Sequence, residues 1–180
     1  GAIMRIDSSK IVQVSMDGPA VNHLFYKKLV QHREDVKIMQ LMVDIGSCGI
    51  HIIHGAFKFS FEKTSWNIKG IIKGSFVLLH DTPARRADYI TITSSELFPL
   101  FFCATRWVED KAPADRLREI WPNIIKIVKF WLTLTKKKQP SGKSFDAVKG
   151  AVENPLTIAK LSFFSYIASI LQPFLEKYQT

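Results

Sequence analysis

The sequence predicts a mixed α/β chain with few strands and a predominantly helical C-terminal portion. Three observations carry that expectation. Two short apolar segments flank a helical one near the start, helical periodicity fills almost everything after residue 47, and glycines and prolines punctuate the helical runs.

Residues 10–16 (Lys-Ile-Val-Gln-Val-Ser-Met) are β-branched and alternating, and they stop at the turn Asp17-Gly18-Pro19. Residues 19–31 then repeat apolar side chains at Val21, Leu24, Phe25 and Leu29, a short helix with Pro in its first turn. Residues 38–45 make a second strand, apolar enough for burial on both faces. Strand, helix, strand is the βαβ pattern, which places two parallel strands in one sheet. Helices are expected over 47–59, 64–80, 83–92, 107–121, 122–135, 143–152 and 155–177. Gly46, Gly55, Pro83, Pro99, Pro122 and the Gln139-Pro140-Ser141-Gly142 turn separate or punctuate them. Pro122 should start a helix, and Pro173 should bend or end the last one. Two strands cannot make a stable sheet alone, so further strands are expected from unread segments or from a second copy of the chain.

The domain reading follows from these elements. Gly1 and Ala2 look like the scar of a cleaved tag, and residues 1–4 are read as a disordered start. Residues 5–106 form the α/β region and residues 107–180 a helical region, packed with it as one unit.

Composition narrows the class. With 47% apolar and 12% aromatic residues among 180, the chain is globular, not disordered. The polar start, with Arg5, Asp7 and Lys10, does not resemble a secretory signal. Cys48 and Cys103 are too few for a disulfide framework and suit a reducing, intracellular compartment. Residues 155–175 are apolar for about the length of a bilayer crossing. Lys160, Ser162, Ser165, Ser169 and Gln172 fall mostly on one helical stripe, so the segment reads as an amphipathic core helix and not a membrane span. A formal charge of +9 suits polyanionic partners or simple solubility. Glycine-rich phosphate loops, Gly-x-Ser-x-Gly elbows and His-Glu-x-x-His pairs do not occur, which leaves the common nucleotide-binding, serine-hydrolase and zinc-protease chemistries without support.

Four places could carry chemistry. Asp17 follows a strand, where a carboxylate can hold a divalent metal, although a turn Asp capping the next helix is the commoner fate. Cys48-Gly49-Ile50-His51 with His54 and Cys103 makes zinc conceivable, but lacks the paired spacing of a strong site; buried packing residues are the alternative. Thr105-Arg106-Trp107 opens a helix with Glu109 and Asp110 in its first turn, and Trp107 could stack on a base or sit in a core. Arg85, Arg86, Lys136, Lys137 and Lys138, with Lys143 nearby, form basic clusters that are either a phosphate-binding patch or a solvated face.

Taken in order, these segments resemble those of hAT-superfamily transposases. Ser15-Met16-Asp17-Gly18-Pro19-Ala20-Val21-Asn22 is similar to the segment around that family's second catalytic Asp. Cys48-Gly49-Ile50-His51 resembles its Cys-x-x-His motif, and Thr105-Arg106-Trp107 its Arg-Trp motif, which opens the helical insertion of a ribonuclease H-like catalytic domain. Asp44-Ile45-Gly46-Ser47-Cys48-Gly49 and Pro83-Ala84-Arg85-Arg86 resemble segments of a widespread animal group of hAT-like proteins, so the likeness covers nearly the whole chain. The resemblance implies a partial ribonuclease H-like fold, with Cys48, His51, Arg106 and Trp107 near transposon DNA. It also implies a metal-binding triad of which only Asp17 has a counterpart. The first acidic residue would precede residue 1 and the third would follow residue 180.

The functional expectation is therefore a non-catalytic fragment or domesticated derivative of a hAT-type transposase that contacts DNA. The alternative is a protein-interaction or oligomerisation module that kept the fold without DNA binding. No cofactor is expected for this chain, Mg²⁺ or Mn²⁺ belonging only to a complete parent transposase. The expected partners are DNA and a second copy of the chain, without a membrane, in the nucleus or elsewhere inside the cell.

Overall fold

The computed structural model describes residues 7–16, 20–39 and 42–178. The reading of residues 1–4 lies outside them, as does Asp17. By its contacts the chain divides into two units, Gly1–Ile53 and His54–Thr180. That division lies inside one helix, at residue 53, and not at residue 106.

In the first unit a short 3-10 turn, Ser8–Lys10, leads into strand β1 (Gln13–Met16), helix α1 (Ala20–Asp35) and strand β2 (Val43–Ser47). The strands pair in parallel, with Gln13 opposite Val43, Val14 opposite Asp44 and Met16 opposite Ser47, the register slipping between Val14 and Met16. Arg33 fastens α1 to the start of the chain: its guanidinium donates to the Ser8 carbonyl and, at 3.1 Å, to the Ile11 carbonyl. It is the one residue buried in this unit among those described. Val21, Leu24 and Phe25, expected to face a core, are more than half exposed, and so is Met39. Val43 is also exposed, against the expectation that the second strand is covered on both faces. Two strands and one helix offer too little surface to bury each other.

The expectation of an α/β, partial ribonuclease H-like fold is thereby overturned. The chain is mainly helical: the described residues form eight α-helices and a single ladder of two short strands. Strand-forming runs stop at residue 47, and past that point apolar residues recur at helical spacing, so burial is satisfied helix against helix.

The second unit contains the greater part of α2 (Gly49–Lys63), then α3 (Ile68–His80), α4 (Pro83–Thr93), α5 (Lys111–Glu119), α6 (Trp121–Thr133), α7 (Lys143–Glu153) and α8 (Thr157–Tyr178). α3 buries Ile68, Ile71, Ile72, Leu78 and Leu79 and lies against α7. Gly74 permits that approach, because a Cβ there would stand 2.9 Å from the Ser144 carbonyl oxygen. α6 buries Ile124, Ile127, Val128 and Trp131, an i, i+3, i+4, i+7 face, and packs on α4. α8 packs on α5, and its Phe164 meets Phe57 and Phe61 of α2 with ring centroids 5.0 and 4.9 Å apart. Each fully buried Leu, Ile or Phe contributes roughly 1.5–3 kcal/mol. Pro122 stands in the first turn of α6, as the sequence suggests. Pro173 does not end α8, which runs on to Tyr178.

Candidate nucleic-acid interface

The basic clusters, separate in sequence, are carried on or beside α4, α6 and α7, which Trp131 ties together in the second unit. Near the end of α6, the Trp131 Nε1–H donates to Asp88 of α4 at 3.2 Å. The Trp131 ring also meets Phe145 in the first turn of α7, with centroids 6.2 Å apart. Asp81 and Thr82 alone link the end of α3 to the start of α4. Trp131 therefore brings the end of α6 to the start of α7 and to the middle of α4. Arg85 stands one turn before Asp88, Lys136, Lys137 and Lys138 follow α6 directly, and Lys143 begins α7. The four lysines are exposed and Arg85 is half-buried.

Helix starts add to this charge. Neither Thr82, before α4, nor Gly142, before α7, supplies a side-chain cap to the first-turn N–H groups. Helix ends act oppositely, and Gln139 closes α6 by donating to the Leu132 and Leu134 carbonyls at 3.3 and 2.8 Å. Asp81 is hydrogen-bonded to His80, Asp88 accepts from Trp131 and Asp146 stands in the first turn of α7, three carboxylates against Arg85 and the four lysines. Arg86 is used differently: its guanidinium carbon sits 3.9 Å over the Phe98 ring, which itself stacks at 5.1 Å on Tyr89.

The Arg-Trp segment is structural. Trp107 is 2% exposed, meets Phe102 edge-on at 5.3 Å, and donates its indole N–H to the Ala104 carbonyl at 3.0 Å. It cannot stack on a base without leaving the core. Arg106 is exposed and pairs with Glu109 at 3.5 Å. The helix expected to open at residue 107 starts later, at Lys111, because residues 107–110 form turns. That turn is tied down from two sides: the Val108 N–H donates to His54 Nδ1 at 3.3 Å, and the Cys103 N–H to Asp110 Oδ1 at 2.7 Å. Burial, reinforced by the Glu109 charge and opposed by the Cys103 N–H, raises Asp110 to a pKa of about 7.

Cys48 and His51 stand at the start of α2 in the first unit, and a hydrogen bond from the His51 side chain holds the Cys48 thiol below its ordinary range. In the second unit the Thr105 hydroxyl does the same for Cys103. His54 is buried and committed to Val108. Among the described residues no three His, Cys, Asp or Glu side chains are arranged to hold a metal ion.

Sequence reasoning found the basic residues but not the Trp131 contacts that tie their helices together. It also missed the two uncapped helix starts, for which the signals were Pro83 after Thr82 and Gly142 before Lys143. Compared with known proteins, the chain matches no family model, no curated protein and no solved structure.

Proposed function

We propose that this chain is a non-catalytic, DNA-contacting derivative of a hAT-type transposase, gripping phosphates with the basic residues of its helical unit. The placement of Arg85, Lys136, Lys137, Lys138 and Lys143 on or beside helices that Trp131 ties together carries the reading, because cations grouped this way suit a phosphate backbone and read no base. The lineage rests on the order of the Ser-Met-Asp-Gly-Pro, Cys-x-x-His and Arg-Trp segments. Of the family's triad Asp17 is the one counterpart among these 180 residues, and a metal pair needs two or more carboxylates, so these residues by themselves are not expected to cleave DNA. A nuclear location follows if DNA is the partner. The burial of Trp107 favours a second reading, an interaction module without DNA binding.

Fluorescence anisotropy with a labelled duplex, read against salt, tests the proposal. Binding should be weak and without sequence preference. Reversing Lys136, Lys137 and Lys138 to Glu should cost more than tenfold in affinity and flatten the salt slope by about 0.9 per lost phosphate contact. Duplex incubated with Mg²⁺ or Mn²⁺ should stay intact. A wild type that ignores DNA at low salt, or a reversed variant that binds equally, overturns the reading.

A further inference from the structure

We propose that the outward face of α8 is the surface through which two copies of this chain pair. The inference stands independently of the nucleic-acid reading, since α8 supplies none of the residues that reading uses.

α8 is apolar on two sides. One side is occupied: Leu161, Phe164, Ala168 and Leu175 are buried, and the Ser165 hydroxyl donates to Asp115 at 2.5 Å. The expected polar stripe of Ser162, Ser169 and Gln172 is present but narrow. Opposite the buried side stand Phe163, Tyr166, Ile170 and Phe174, with Tyr178 beyond, each between 43 and 62% exposed. Soluble surfaces carry such residues singly; five on one helix face form a patch.

Area and composition indicate the occupant. An aromatic side chain offers about 150–250 Å², so four half-exposed ones with Ile170 present about 500 Å² per copy, and a pair buries at most about 1,000 Å². That reaches the size at which specific interfaces begin, before Trp66 beside Phe163 is added. No charged residue occurs between Lys160 and Glu176, so the centre of the face is uncharged, while Lys160 over the Trp66 ring and Lys177 over the Tyr178 ring mark its two ends. Tyr166, Ile170, Phe174 and Tyr178 form a row spaced by four, the ridge that interdigitates with its own copy when helices cross at about −50°. A face that fits itself is what a two-fold pair requires. By length and composition α8 could also cross a membrane. Spanning would have to withdraw Phe164 from its aromatic cluster and break the Ser165–Asp115 bond.

Light scattering after size exclusion, across the micromolar range, decides the matter. The wild type should run as a dimer, and Tyr166→Glu with Ile170→Glu should raise the dissociation constant more than about a hundredfold while keeping the circular dichroism spectrum and melt. Phe101→Glu, an equally exposed apolar site off α8, should leave pairing unchanged. If the double variant does not fold, Ile170→Ser replaces it, with an expected loss of about tenfold. A wild-type monomer, or a folded double variant that still dimerises, overturns the proposal. So does a wild-type monomer that sediments with phosphatidylcholine vesicles through the same residues, which assigns the face to a bilayer.

Discussion

Replacing Asp110 by Asn should change how the stability of the helical unit depends on pH. Asp110 is 1% exposed; its Oδ1 accepts the Cys103 N–H, and its Oδ2 is buried with no hydrogen-bond partner among the described residues. The carboxyl's pKa rises from 3.8 to about 7, so between those values the folded protein holds a proton that the unfolded chain releases. Stability from this group is full below pH 3.8, declines as pH rises through the window, and levels off above 7. Three pKa units at about 1.4 kcal/mol each set an upper bound of roughly 4 kcal/mol. For the 127 residues from His54 to Thr180 that corresponds to roughly 10 °C or more in Tm. Asn keeps the acceptor for Cys103 and cannot ionise. The variant should match the wild type near pH 4 and melt well above it near pH 8. Tryptophan fluorescence is the suitable probe, because Trp66, Trp107, Trp121 and Trp131 all belong to this unit. Taking the difference between wild type and variant removes Asp115, whose pKa is lowered when its bonds to Lys111, Ser165 and Arg118 outweigh burial and whose contribution is lost in acid. Equal slopes in the two proteins would show that Asp110 stays ionised, and the account of its burial would be wrong.

Two further outcomes follow from packing. Trp107→Ala should cost roughly 3–5 kcal/mol of stability with no separate loss of DNA affinity at temperatures where the variant is folded; an unchanged melt with weakened single-strand binding would mean the ring reaches bases after all. Gly74→Ala should lower stability by about 1–3 kcal/mol despite alanine's better helix propensity, because the new methyl meets the Ser144 backbone; chemical denaturation measures it, and a gain in stability would show that α7 can move away freely.

What was legible in the sequence was local. The starts of α4 and α7 stand at Pro83 and after Gly142, and the α3 and α6 faces follow the apolar spacing that predicts them. β1 falls within the first expected strand segment, 10–16, while β2, at 43–47, overlaps only the end of the second, 38–45; the two pair in parallel. The size of the sheet was not legible, because strand partners are long-range and no local pattern says how many will arrive. Trp107 stands between Arg106 and Val108-Glu109, a largely polar setting, yet Phe102 and Ala104 bury and bond it. In α8 Ser162, Ser169 and Gln172 keep to a partly exposed stripe while Ser165, expected on it, is buried against Asp115, and a polar stripe does not say that the remaining surface is one face. Here it divides into a buried face and a bare one.

The two proposals can be tested against each other, because they use different helices. The basic residues stand on or beside α4, α6 and α7, and the pairing face belongs to α8, so pairing uses none of the basic residues. A dimer then offers two such sets of basic residues to one polyanion, and on a duplex long enough to reach both, their contributions to counterion release add. If most of the five basic residues neutralise one phosphate each, one copy gives a slope of log K against log salt of roughly −4, and the pair nearly twice that. On a duplex too short for both sets the slopes should coincide. The Tyr166→Glu, Ile170→Glu variant should therefore match the wild type on short DNA and show about half its slope on long DNA. A dimeric wild type whose slope does not grow with duplex length would mean that its two basic sets do not engage one DNA molecule, and pairing would have to serve something other than grip.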